Sequence, residues 1–593
     1  MMTPRQIAEH ATMQSFLNCY LREMGGAQIV EPGSQVFGAV NEASRYIRCS
    51  LPHQGIQMLA PLRYWSPTGR HRFSFPLYYW AAGQRGPLPL DYVTMAALLA
   101  KELILSGHDA GGADELLLRV IQSCRNIATF VEARQCDLAR LYGLEFTFAD
   151  AEQSLIFGHP LHPTPKSRQG IADEDLAVYS PELNGRFPLH YFRAHRSAVQ
   201  EDSAHPQTAT ALIKRELVED PEVDAAFKSS YCDPDDHALI PAHPLQASLL
   251  LREPAVRELI GQGLLAYLGA QGRAYLPTSS LRTVYHPDAT FMLKLPLRVK
   301  ITNSLRVNKR RELERGVEIH RLLDSPIGRD LRERFPRFHV VRDPAYITVA
   351  LPGKAESGFE VVLRENPFHG SDAADATPVA ALCQDHLGGG RSRLAAIIDH
   401  LAREEGRPAH EVSRAWFRRY LEISLRPILW LYLTYGIAVE AHQQNSIVQL
   451  RAGYPDRFFY RDNQGYYYRR SAHDALERIL PGLSAKSETT CEDAVADERL
   501  RYYLIINNLF GLINAFGTAG LVDERVLLAD LRGVLEAAGA STSFVRTTLD
   551  EPVLRCKANL LTRLHDMDEL TGPLASQSVY VPIVNPLRGG EPS

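Results

Sequence analysis

Apolar residues recur at helical spacing, with charged faces between them, through ALLAKELILSG (97–107) and ADELLLRVIQSCRNIATFVEARQCDLARLYG (113–143). Ahead of them, AQIVEP, RYIRCSLP and FSFPLYYWAA alternate and are broken by turn residues, which predicts strands. FGHPLHPTPKSRQGI (157–171) carries too many prolines to be helix and predicts a loop. From about 200 to 385 short β-rich runs dominate: HALIPAHP, AYLPTSSLRTVYH, FMLKLPLRVKIT, FHVVRD, AYITVALPG and FEVVLREN. Their alternation predicts an antiparallel sheet. Within them SLRVNKRRELERGVEIHRLLDS reads as a helix capped by Asn303 or Ser304. HLGGGRSR (386–393) predicts a linker, and beyond it LAAIIDHLAREEG, EVSRAWFRRYLEISLRPILWLYLTYG, ERLRYYLIINNLFGLINAFG and DERVLLADLRGVLEAAG are helical. One interruption, FFYRDNQGYYYRR, predicts a hairpin turning at Asn463-Gln464-Gly465. The fold class is α+β, with several domains.

A length of 593 residues supports more than one core. A formal charge of −4 supplies no global field for nucleic acid, so anion binding has to come from local clusters. The eight cysteines are scattered without a CxxC pair, as expected for reduced thiols in the cytoplasm. The N-terminus has no signal-peptide pattern, and the apolar stretch 428–439 is too short to span a bilayer. No membrane or nucleic-acid partner is expected.

The chemistry concentrates in two segments. LKLPLRVKITNSLR (293–306) places Lys294, Arg298 and Lys300 on one face of a strand whose other face is apolar. Such charges line a cleft for a polyanion, or else simply face solvent. EAHQQN (440–445), at the end of a long apolar helix, offers Glu440, Gln444 and Asn445 as the oxygen donors magnesium prefers, with His442 as acid, base or anion donor. Asp462 follows seventeen residues after Asn445, an Asn-then-Asp order also used by kinases to hold magnesium. The alternative is a polar helix end that caps itself. In PTSSLRTV, Ser279, Ser280 and Arg282 suit phosphate oxygens. GHPLHPTPKSRQG brings His159, His162, Lys166 and Arg168 onto a rigid cationic loop fit for carboxylate or phosphate, or onto a solvated basic turn. No cysteine or carboxylate stands near to complete a zinc set. His243, in LIPAHPLQ, decides nothing alone. Phosphate-loop and GxSxG motifs are absent, so a nucleotide would be held by side chains from separate segments.

Seven pieces in register, GHPLHPTPKSRQG, LIPAHPLQ, PTSSLRTV, LKLPLRVKITNSLR, EAHQQNSIV, YRD and CKANLLTRL, resemble the NRPS-independent siderophore synthetases of the IucA/IucC type. The resemblance implies a hand-like enzyme, with a thumb (1–199), β-rich fingers (200–387) and a helical, FhuF-like palm (388–593). Its active site would lie in the cleft between fingers and palm. It implies that Ser280, Arg282, Lys294, Thr302, Asn303 and Arg306 bind ATP. Glu440, Gln444, Asn445 and Asp462 would organise Mg2+ and nucleotide, the metal itself on Glu440, Asn445 and Asp462. His159, His162, Lys166, Arg306, His442 and Lys557 would face a citrate-like carboxylate, with Arg306, His442 and Lys294 catalytic. The implied reaction is carboxylate adenylation, then condensation with an amine, hydroxylamine or alcohol, releasing AMP and pyrophosphate. A homodimer is expected. The competing readings are a kinase-like phosphotransferase on a small acidic substrate, and a non-catalytic iron or siderophore binder. No cysteine pair supports the latter with a cluster.

Overall fold

A computed structural model describes the chain apart from residues 1, 32–44, 82, 84–85, 110, 234, 303, 463, 541, 568–577 and 589–593. The first element is the 21-residue helix Pro4–Met24, which the sequence reading passed over. It starts on a Thr3–Gln6 capping box and packs against the helices Tyr92–Leu105 and Ala113–Arg134. Beneath them lies an antiparallel sheet, in spatial order Gln28–Val30, Tyr46–Leu51, Ile56–Tyr64, Leu77–Ala81 and Leu88–Leu90.

The β-rich middle forms the expected antiparallel sheet, eight strands wide among the described residues. Its order runs His237–Ala242, Phe187–His195, Leu265–Pro277, Thr283–Tyr285, Phe291–Lys294, Val361–Glu365, Ala345–Val349 and Val199–Ser203. Phe338–Val341 leaves this sheet to pair in parallel with Tyr454–Arg461, tying the middle of the chain to the helical C-terminal half. The largest apolar core lies there, joining Phe146 and Leu155 to the helices Arg393–Glu405, Ala409–Ile423 and Leu425–Tyr435 and to residues 500–549.

Five local expectations change. The strand read through 293–301 stops at Lys294, because Pro296 has no N–H to give the ladder. Lys294, Arg298 and Lys300 therefore share no face: Lys294 is buried, Arg298 is exposed, and Lys300 pairs with Asp566 at 2.8 Å. The helix after it is Arg310–Asp324, capped by Lys309, while Ser304 lies in a short strand and Asn303 falls outside the described residues. The apolar run before Glu440 is helix only to Tyr435. Left-handed Gly436 (φ 70°) ends it, and Ile437–Val439 is a strand. The predicted hairpin is absent: Tyr454–Arg461 pairs with Ser446–Arg451, whereas Tyr466–Arg469 pairs with Ile437–Val439 in another sheet. Asn463, in that turn, is not described. The segment 386–393, read as a linker, is exposed from Gly388 to Arg391 but anchored at Leu387, which is buried and whose N–H donates to Tyr142 Oη at 3.1 Å.

Candidate active site

One wall of the site grows from the tight turn after Leu265–Pro277. Leu281 there takes a left-handed φ of 65°, and Thr283 N donates to Ser280 Oγ at 3.1 Å. Glu152, fully buried at the end of the helix Phe148–Glu152, accepts Ser279 N at 2.8 Å and pairs with Arg461 at 2.6 Å. Arg461 in turn donates to Gln444 O at 3.0 Å, and Gln444 donates to Ser279 Oγ at 3.1 Å. A single buried carboxylate thus joins the serine turn to the 440–445 loop. Beside them the short strands Lys300–Ile301 and Ser304–Leu305 form a ladder with Arg168–Gln169. Thr302 at their turn has φ 52°, a strained value for a β-branched residue, and its hydroxyl accepts Arg306 Nη2 at 2.8 Å.

The 440–445 loop is pinned by its own backbone. Glu440 N donates to Gly465 O at 2.9 Å and Asn445 N to His442 O at 3.0 Å. Asn445 Nδ2 reaches Asp462 Oδ2 at 3.3 Å, and Lys294 Nζ donates to Asp462 Oδ1 at 2.9 Å. Burial would push the Asp462 carboxyl up, but Lys294 and Arg364 outweigh it and hold it far below the usual carboxylate range. Burial brings Lys294 down to about 8 against the pull of Asp462, so the pair is ionised at neutral pH. Glu440 is raised, first by burial and then by neighbouring Asp462, while the Tyr467 hydroxyl that donates to it opposes the rise. His442 is brought down to about 4 by burial and is neutral.

The third wall is the proline loop. Asn507 Nδ2 meets His159 Nε2 at 3.0 Å, and burial brings that imidazole down to about 3. Lys166 is held by buried Glu182, which also accepts Arg168 Nη2 at 2.5 Å. Burial opposes ionisation of Glu182, yet Arg168 and Lys166 hold its carboxyl at about 2. Lys557 ends the strand Val553–Lys557 and lies 6.0 Å from the Tyr503 ring centre.

These walls enclose one cavity of about 790 Å³. Of the residues expected from sequence, Ser280, Thr302, Arg306, Glu440, His442, Gln444, Asp462, His159, His162, Lys166 and Lys557 line it. Arg282, Lys294 and Asn445 stand one side chain behind: Arg282 donates to Gln464 Oε1 at 3.1 Å, and the other two bind Asp462. The sequence reading missed Arg311, Glu312, Arg315, Gln464 and Arg499, which also line the cavity. The signal of the four charged residues lay in helical stripes that resemble any solvated face, and that of Gln464 in a turn read only for its geometry. It also missed the π-helix Arg501–Leu509, whose wide turn presents Tyr502, Tyr503, Ile506 and Asn507 to the cavity.

The donor set suits a hard cation. Asp462 is close enough to Glu440 to raise its carboxyl, and Asn445, whose amide nitrogen donates to Asp462 Oδ2, carries an amide oxygen as well. Among the described residues no third His, Cys, Asp or Glu completes a protein cage.

Two family models match the chain: the IucA / IucC family over residues 147–384, and the ferric iron reductase FhuF-like transporter over 414–572. A spermidine-citrate ligase of Bacillus anthracis is 48% identical, the alignment covering 98% of each chain. The rhizobactin siderophore biosynthesis protein RhbC of Rhizobium meliloti is 40% identical over 97% of each. The ATP-bound aerobactin synthetase IucA from a hypervirulent pathotype of Klebsiella pneumoniae superposes with a TM-score of 0.87 at 28% identity, covering 97% of this chain and 99% of that one. With relatives at this identity over almost its whole length, the chain belongs to the IucA/IucC family of siderophore synthetases and is a ligase of siderophore biosynthesis.

Proposed function

We propose that the enzyme adenylates one carboxylate of citrate, or of a closely related polycarboxylic acid, with ATP, and then joins it to an amine. The observation that carries this reading is the shared cavity: the serine turn, Thr302 and Asp462, expected at the nucleotide, line it together with His159, His162, His442 and Lys557, expected at the carboxylate, and Arg306 belongs to both groups. A carboxylate oxygen attacks the α-phosphorus and pyrophosphate leaves. The amine nitrogen then attacks the acyl carbon and AMP leaves. Charge grows on the phosphoryl oxygens in the first step, so Arg306, with Arg282 and Lys294 behind it, supplies preorganised positive charge. Neutral His442 and His159 can each donate or accept a hydrogen bond without adding charge. Mg2+ on Glu440, Asn445 and Asp462 would neutralise phosphate charge. The citrate and amine assignments follow the names of the relatives, a spermidine-citrate ligase above all.

The hand-like division into thumb (1–199), fingers (200–387) and palm (388–593), the cytoplasmic location and the homodimer are proposed with it. Among the described residues, no helix is long and apolar enough to cross a membrane. The test is a carboxylate panel scored for ATP–pyrophosphate exchange, with products resolved after an amine is added. Citrate-dependent exchange with AMP as product is expected. ADP as product would replace the reading with a phosphotransferase.

A further inference from the structure

The cavity extends well beyond the groups that handle ATP and the carboxylate. One stripe of the N-terminal helix Pro4–Met24 lines it: Ile7, Ala11, Ser15, Cys19 and Arg22 follow one another at the 3–4 residue spacing of a single helical face, with His10, Gln14 and Glu23 alongside. Between Ile7 and Arg22 a helix rises about 22 Å, at ~1.5 Å per residue. The inner end of this stripe adjoins the reaction centre. Glu23 accepts Leu560 N and Leu561 N, both at 2.8 Å, just past Lys557, and Arg22 is close enough to lower the pKa of His159. The outer end is aromatic, with His10 stacked on Phe75 at 4.0 Å. Phe157, Leu387 and Asp385, which Arg70 and Arg72 both hold, line the same cavity. Arg22 is engaged by Thr68 O at 2.8 Å. Neither family-model match includes this helix.

We propose that the groove along the N-terminal helix is the binding site for the acceptor, a primary amine carried on a linear aliphatic chain. The inference rests on the ligase reading above and gives its second substrate a place. A stretch of cavity that follows the helix face and ends beside His159 and Lys557 takes an extended chain with its amino end inward. Burial pushes the Glu23 carboxyl up to about 8 and lowers His10, which leaves Arg22, held by Thr68 O, as the charged group of the stripe. Such an inner end favours the uncharged amine, which is the nucleophilic form. The nitrogen lone pair forms the C–N bond, the acyl C–O bond to AMP breaks with its electrons on the phosphate, and the proton passes to solvent.

The test separates the half-reactions. Ala11, half-buried, lines the groove and takes no part in the adenylation site described above. Ala11→Trp fills the groove, and His10→Ala removes its aromatic wall. Each variant is assayed for citrate-dependent ATP–pyrophosphate exchange and for trapping of the adenylate by free hydroxylamine, which is too small to need the groove. Each is then assayed for amide formation with α,ω-diaminoalkanes of increasing length, with spermidine and with α-amino acids. Exchange and hydroxylamine trapping within twofold of the parent are expected. Amide formation with the long amines should fall at least tenfold through a raised KM. The diamine and amino-acid arms show whether the far end of the chain carries an ammonium or a carboxylate. An unchanged KM for the amine, or hydroxylamine trapping that falls in parallel, overturns the proposal. Absence of citrate-dependent exchange in the parent instead overturns the ligase reading beneath it.

Discussion

At the scale of single residues, Arg306 carries the heaviest demand. It is the one predicted residue named for both ATP and carboxylate, and Thr302 Oγ1 and Ile301 O hold its guanidinium at 2.8 and 3.2 Å. Removing one preorganised donor of developing charge costs about 10²–10³ in rate. Arg306→Ala should therefore lower citrate-dependent exchange by about that factor while leaving the thermal midpoint within a few degrees. A collapse of the midpoint would make Arg306 structural. The titration of the site yields a second prediction. His159 and His442 are already neutral above pH ~5, so neither should shape kcat/KM for ATP between pH 6 and 7.5. Lys294 is brought down to about 8 and loses its proton as pH rises through that value. The profile should be flat and then fall on its alkaline limb, and Lys294→Arg should move that limb upward. A histidine-like rise near pH 6.5 would contradict it.

At the scale of elements, the lesson is that local signals were legible and partners were not. The proline loop, the β-rich middle and the helices after 393 follow from spacing and turn chemistry, and eleven expected site residues do reach one cavity. FFYRDNQGYYYRR looked like a hairpin because its turn residues are right. Its second arm instead found Ile437–Val439, a choice set by distant packing. Glu152, Glu182 and Asp385 hold the site's cations or turns, yet each is an isolated acid in sequence and shows its role only in space. The ladder of Arg168–Gln169, Lys300–Ile301 and Ser304–Leu305 offers a direct test of such support. Gly170 follows it at φ 101°, and a Cβ there would come within 2.7 Å of Arg298 O. Gly170→Ala should cost about 1–3 kcal/mol in chemical denaturation from backbone strain. It should also raise KM for ATP, because Arg306 hangs on that ladder. An unchanged KM with full destabilisation would detach the ladder from the site.

At the scale of the whole molecule, the two ends of the chain share one core, so the groove and the adenylation pocket should stand or fall together. Ala558, Leu560, Leu561 and Leu564 pack among Met13, Phe16, Leu17 and Leu99. Glu524 makes the polar joint between the halves: fully buried, it accepts Tyr64 Oη at 3.0 Å, Ser66 Oγ at 2.9 Å and Thr68 Oγ1 at 2.8 Å. Burial raises its carboxyl above the usual value of 4.5, outweighing those hydroxyls. The folded state therefore binds the proton more tightly than the unfolded chain. Its contribution is complete below pH ~4.5 and is lost as pH rises through the raised value. Glu524→Gln should remove that pH slope while keeping a hydrogen-bonding partner of the same size. Glu524→Ala should leave Tyr64 and one hydroxyl of the Ser66–Thr68 pair without an acceptor and cost about 1–3 kcal/mol. The tryptophans divide conveniently, Trp65 and Trp80 in the N-terminal section, Trp416 and Trp430 in the C-terminal helices. Single-tryptophan variants from the two groups should unfold at the same denaturant midpoint and shift together with Glu524→Ala. An N-terminal midpoint well below the other would mean that the section carrying the proposed amine groove opens by itself, and that the joint at Glu524 does not couple the halves.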